Sequence, residues 1–278
     1  MVSYFFSGLN KRLQSLWFKT FLYVFLVIKS IYWLCYYDVL FGENSIMYSQ
    51  PRPLGMFKDF AFLLYNSASV NTGYAFIGGV FVLVAFNLFV KKNILFLSNF
   101  LDFLIWFLVL NIHNKIYLTL TAGDYLLNQF LFFNFLLTAS FRFDIKSSSL
   151  LLHNVGVIGI TAQICFAYFM AGLAKIVDPL WMKGEAVASI VQIYHYNVYS
   201  VFTYNKKMDL LYLAANYLVI FYQFLFPVFV WFHKIKKPFL ILGILMNLYI
   251  AFVMGLFSFG VVMILGYTFF WPFTKEEQ

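Results

Sequence analysis

The 278-residue sequence predicts an all-α fold, a polytopic transmembrane helical bundle of about seven or eight spans. Three observations carry that reading. Apolar runs near the ~20 residues needed to cross the hydrocarbon core recur along the chain. Charged residues make up 11% of it, against about 25% in soluble domains, too few to coat a water-exposed surface. The basic residues behind the net charge of +8 fall in short clusters between the apolar runs. Bilayer topology requires that placement, and it leaves no basic stripe for a nucleic acid. The runs are continuous rather than alternating, which argues against a β-barrel.

Taken in order, Lys11, Arg12 and Lys19 precede the first run, Phe21–Phe41. No small-x-small cleavage site follows it, so it reads as a retained signal anchor. Gly73–Val90, Ile94–Ile112, Tyr117–Ser140, Val155–Val177 and Leu210–Phe232 follow as spans. The last tract, Phe239–Phe273, is too long for one crossing and slightly short for two; Gly255 and Gly260 mark where it bends. With the N-terminus in the cytoplasm, the inner segments collect Lys11, Arg12, Lys19, Lys91, Lys92, Arg142, Lys146, Lys234, Lys236 and Lys237. The outer segments hold fewer cations and nearly all the acids, which favours N-in by the positive-inside rule. The longer loops, about 42–72 and 178–208, then face outward. No repeat, low-complexity segment or extramembrane domain is expected, and residues 1–278 read as one membrane domain.

Cys35 and Cys165 lie inside apolar runs and read as small core residues, without metal-ligand or disulfide spacing. No motif for metal hydrolysis, nucleotide binding or serine-hydrolase chemistry occurs. Ionisable residues at membrane depth are costly and are functional suspects by default. Lys29, Asp102 and Asp124 are three of them, and an interhelical pair between Lys29 and either aspartate is the structural expectation. His113, His153 and His233 lie near span ends. His195, in the outer loop, is a weak candidate for a proton relay or else part of an aromatic loop resting on the headgroups.

The strongest candidate is Lys175, in YFMAGLAKIVDPLWMKGEA (168–186), at the outer end of the fifth span. Tyr168, Ala171 and Gly172 share its helix face. Small residues there let another helix or a flat ligand approach closely. In such a low-dielectric site Lys175 is a candidate base; equally, it is an anchor reaching for water above a small-residue packing seam.

The order Ala-Gly-x-x-Lys, then Trp-x-x-Gly, resembles the HTTM (horizontally transferred transmembrane) family, whose membrane domain is shared with vitamin K-dependent gamma-carboxylase. FYQFLFPVFVW (221–231) and MGLFSFGVVMILGY (254–267) are similar to later helices of that family, and the resemblance covers roughly Tyr117 to Pro272. It implies that Lys175 is a base that deprotonates a reduced, vitamin K-like quinone at the outer face. It also implies that Trp181 and Gly184 are the flanking motif positions, with Tyr168 and Gly172 beside them as binding residues. Gly123 and Asn247 stand where the family places histidines, and the carboxylase's large lumenal domain has no counterpart here. The bacterial sporulation-delaying-protein maturation subunit is a small member of the same family. Resemblance to that member implies a multi-pass protein of the bacterial inner membrane that matures a secreted peptide, with a separately encoded partner. The other readings are a non-catalytic membrane subunit that chaperones a partner protein and, third, a small-solute transporter.

Overall fold

A computed structural model describes residues 11–42, 45, 70–89, 95–137, 147–193, 196 and 204–272. All regular structure among them is helical: α1 (Arg12–Cys35), α2 (Tyr37–Phe41), α3 (Val70–Phe89), α4 (Leu95–Lys115), α5 (Ala122–Asn134), α6 (Ser147–Val177), α7 (Pro179–Met182), α8 (Ala186–Gln192), α9 (Asp209–Phe229), α10 (His233–Leu248) and α11 (Phe257–Gly266). Five helices are long and apolar enough to cross a membrane: Leu13–Cys35, Leu97–Lys115, Leu150–Val177, Lys206–Phe229 and His233–Val253. Thr72–Leu88 and Phe257–Phe269 are shorter apolar helices.

The solvent pattern is inverted relative to a soluble protein. On α1, Trp17, Phe21, Val24, Ile28 and Ile31 are exposed, while Ser15, Lys19, Lys29 and Ser30 are buried beside Phe18, Leu22 and Trp33. A contiguous exposed apolar face has no stable solvent but lipid, and the polar residues turn inward to find partners. This is the architecture of a membrane protein. The same outward face explains a departure from the sequence reading. Cys35 is exposed and Cys165 intermediate, so neither is a core residue.

The chain divides into two compact units, Met1–Ile158 and Gly159–Gln278, with the boundary inside α6. In the first unit two buried ion pairs tie α1 to other helices. Lys19 Nζ lies 2.6 Å from Asp102 Oδ2, and Asp102 Oδ1 also accepts from Tyr23 and, at 2.9 Å, from Asn87. Lys29 pairs with Asp124, whose other oxygen accepts from the Thr121 backbone N–H at 2.8 Å and its hydroxyl at 2.9 Å. Ten residues along α1, or about 15 Å of rise, separate the two lysines.

Two sequence expectations are corrected here. Lys19 belongs inside the first helix rather than ahead of it, because Asp102, Tyr23 and Asn87 supply the polar site that lets its charge be buried. The expected span Tyr117–Ser140 yields a helix of 13 residues that begins only at Ala122. Thr121 is extended, and its polar groups are bound by Asp124, fixing the start there.

In the second unit the last tract bends where Gly255 adopts φ +72°, a left-handed value that glycine takes without steric cost. A π-helical turn, Tyr249–Val253, leads into the bend, and α11 resumes beyond it. Gly260 packs rather than bends: a Cβ there would meet the Asn247 carbonyl and Ala251.

Candidate functional site

Lys175 stands in the last turn of α6, which ends at Val177. The break is specified locally. Asp178 is extended, and its Oδ1 accepts from the backbone N–H groups of Leu180, at 2.8 Å, and Trp181, at 3.4 Å. Pro179 follows at the first helical position, where its missing N–H costs nothing. The single turn α7 then closes at Gly184, with φ +80°. Gly184 N–H donates to the Trp181 carbonyl at 3.1 Å and Glu185 N–H to the Leu180 carbonyl at 3.0 Å. That pair of bonds is a Schellman closure, which wants glycine at the left-handed position.

Helix α9 holds this turn in place. Asn216, fully buried, donates to the Trp181 carbonyl at 2.7 Å, and the Tyr217 hydroxyl donates to the Met182 carbonyl at 2.8 Å. A Cβ on Gly184 would run into the Leu213 side chain.

The product of this turn is the position of the Trp181 indole. Lys175 Nζ lies 4.8 Å from its ring centroid and 3.5 Å from the Ala171 carbonyl one turn back. An ammonium over an indole face is favoured by the ring quadrupole. Among the described residues no carboxylate comes within 4.0 Å of the amine. The amine is half-buried, with a ring on one side and a carbonyl on another.

The other sequence-predicted residues are distributed differently. Gly172 is buried at a helix crossing, where a Cβ would lie 2.6 Å from Phe224 N and 2.8 Å from its Cα. The face that could have received a flat ligand is therefore filled by the backbone of α9. Tyr168 shares the helix with Lys175, but its hydroxyl bonds to Tyr267 and accepts from Asn247 Nδ2 at 2.7 Å. Its ring stacks on Phe226 at 4.3 Å. Lys29, Asp102 and Asp124 form the ion pairs of the first unit. His195 lies outside the described residues.

Sequence reasoning missed the polar surroundings of His113 and of Tyr168. His113 is buried, with Nδ1 3.0 Å from Asn128 Oδ1 and its ring edge-on to Trp33 at 5.6 Å. Asn247 and three tyrosines converge from segments far apart in sequence, and no local motif announces that. Among the described residues no group of three or more His, Cys, Asp or Glu gathers in a metal-binding arrangement. Comparison with family models, with curated proteins and with solved structures finds no match.

Proposed function

We propose that this integral membrane protein modifies or matures a lipid-soluble or secreted peptide substrate at the outer membrane face, with Lys175 as the base. The observation that carries the reading is the amine's setting. It is half-buried at a helix end, where the Trp181 ring and the Ala171 carbonyl fix its position, and among the described residues it forms no ion pair with a carboxylate. A lysine base has to surrender and regain its proton at the reaction centre, and a salt-bridged amine could not.

The HTTM-like order of Lys175, Trp181 and Gly184 supports the same reading and implies, by resemblance, a bacterial inner membrane; the N-in orientation rests on the distribution of the basic residues. Five helices are long and apolar enough to cross a membrane, and the reading of about seven or eight crossings rests on the apolar runs of the sequence. A reduced quinone is implied by the resemblance alone. Gly172 offers it no cradle, since Phe224 fills that face, and no step of the reading depends on it.

One observation favours a second reading, a non-catalytic subunit that assembles with a partner protein. Asp178, Trp181, Gly184 and Asn216 all have structural work in shaping the turn, and Lys175 could complete it as an anchor. Complementation separates the two. Deleting the gene and comparing lipid extracts and secreted peptides by mass spectrometry defines what the protein changes. Lys175→Met, at unchanged membrane level, should fail to restore that difference; full restoration would assign Lys175 to the anchor role.

A further inference from the structure

Asp178 brings two separable things to the end of α6, a cap and a charge. Its Oδ1 is taken up by the backbone N–H groups of Leu180 and Trp181, which is the work of a helix cap. Asparagine and serine cap as well as aspartate does, so the cap alone gives no reason for a carboxylate. Oδ2 has no part in those bonds, and among the described residues Asp178 forms no ion pair. Its negative charge is left over.

The carboxylate and the Lys175 amine meet at the same residue. Trp181 N–H donates to Asp178 Oδ1 at 3.4 Å, and the Trp181 ring centroid lies 4.8 Å from Lys175 Nζ. One helical turn also joins the pair, since Asp178 N–H donates to the Lys175 carbonyl at 3.4 Å. No salt bridge closes between them, yet the field of the carboxylate acts on the amine. The other side chains at this turn do not compete with it. Asn216 and Tyr217, from α9, are uncharged near neutral pH, and Lys183 and Glu185 are exposed, where mobile ions screen them.

We propose that Asp178 is a positioning residue for the Lys175 base: its carboxylate, pinned by the cap bonds, sets how firmly the amine holds its proton. This rests on the reading of Lys175 as the base. Burial disfavours an ammonium ion and an anion nearby favours it. A closed ion pair would keep the proton in place, whereas a carboxylate held off by two backbone N–H groups gives an intermediate hold. A group that must take up and release a proton in each cycle needs that intermediate setting.

The experiment uses the full-length protein in detergent and measures proton holding without turnover. Trace acetic anhydride acetylates neutral amines, and mass spectrometry follows Lys175 against the exposed Lys206 across a pH series. Asp178→Asn keeps a capping oxygen and removes the charge. At neutral pH it should raise the labelling of Lys175 several-fold, up to about tenfold. At the alkaline limit both proteins carry a neutral amine, and their rates should agree. Equal rates at neutral pH would overturn the proposal and leave Asp178 as a cap alone. A rise that persists at the alkaline limit would overturn it too, because it reports greater exposure of the amine rather than a lost charge. Asp178→Ser, which also caps, carries the same comparison if Asp178→Asn does not accumulate. Labelling is independent of whether Lys175→Arg restores function, so failure here and failure of the base reading are told apart.

Discussion

The Lys175 amine lies 4.8 Å from the centre of the Trp181 ring, six residues on and across a helix break. Asp178, Pro179 and Gly184 build the turn that makes this possible, so the spacing from lysine to tryptophan to glycine has a physical reason. The lysine ends a long helix, the aspartate starts a short one, and the glycine stops it. The indole is delivered to the amine by that sequence of cap, turn and closure.

Removing the ring should therefore be felt through the lysine. A half-buried cation–π contact contributes about 1 kcal/mol. In a double-mutant cycle on unfolding, Lys175→Met and Trp181→Ala should show a coupling energy of roughly that size. Trp181→Phe should retain part of it. Additive effects of the two substitutions would mean that the contact contributes nothing to stability.

Gly184 and Gly172 answer to different constraints, and both should resist enlargement. Gly184→Ala puts a Cβ at φ +80° and against Leu213, and should cost about 1–2 kcal/mol from the left-handed backbone alone. Gly172→Ala drives a Cβ to 2.6 Å from Phe224 N, where backbone has to move, and should cost about 1–3 kcal/mol. Unfolding midpoints in detergent check both; an unchanged midpoint in Gly172→Ala would show that α6 and α9 do not cross so closely.

The buried pair of Lys29 and Asp124 should behave asymmetrically. Lys29→Met leaves the Asp124 carboxylate buried without its cation, a change that costs about 3–5 kcal/mol. Lys29→Met combined with Asp124→Asn removes both charges and should recover much of the loss. The measurement is folded yield and midpoint of the single and double variants. A double variant no better than Lys29→Met would show that the pair does not act as a unit.

The helical class, the helix-end position of Lys175 and the bend at Gly255 were legible because each rests on a local signal: a long apolar run, a break at Asp-Pro, a glycine in a hydrophobic tract. Lys29 was legible as one half of a pair, since a charge at mid-run has to find a partner, and Asp124 is the one it finds. Lys19 was not, because its neighbours Lys11 and Arg12 made it look like a loop cation, and only Asp102, 83 residues on, explains its burial. The same holds for Asn247. Its partners Tyr168 and Tyr267 lie 79 and 20 residues away, beyond the reach of any periodicity, and only the fold brings them together.

The reading of Lys175 as a base is tested most directly by Lys175→Arg. Arginine keeps the positive charge and stacks on an aromatic face as well as lysine does, but it does not give up its proton in a protein. An anchor would survive that exchange and a base would not. In a strain deleted for the gene, at matched membrane levels, Lys175→Arg should leave the lipid and secreted-peptide profile indistinguishable from that of the deletion. A profile restored to that of the unaltered protein by Lys175→Arg would contradict the assignment of Lys175 as the base.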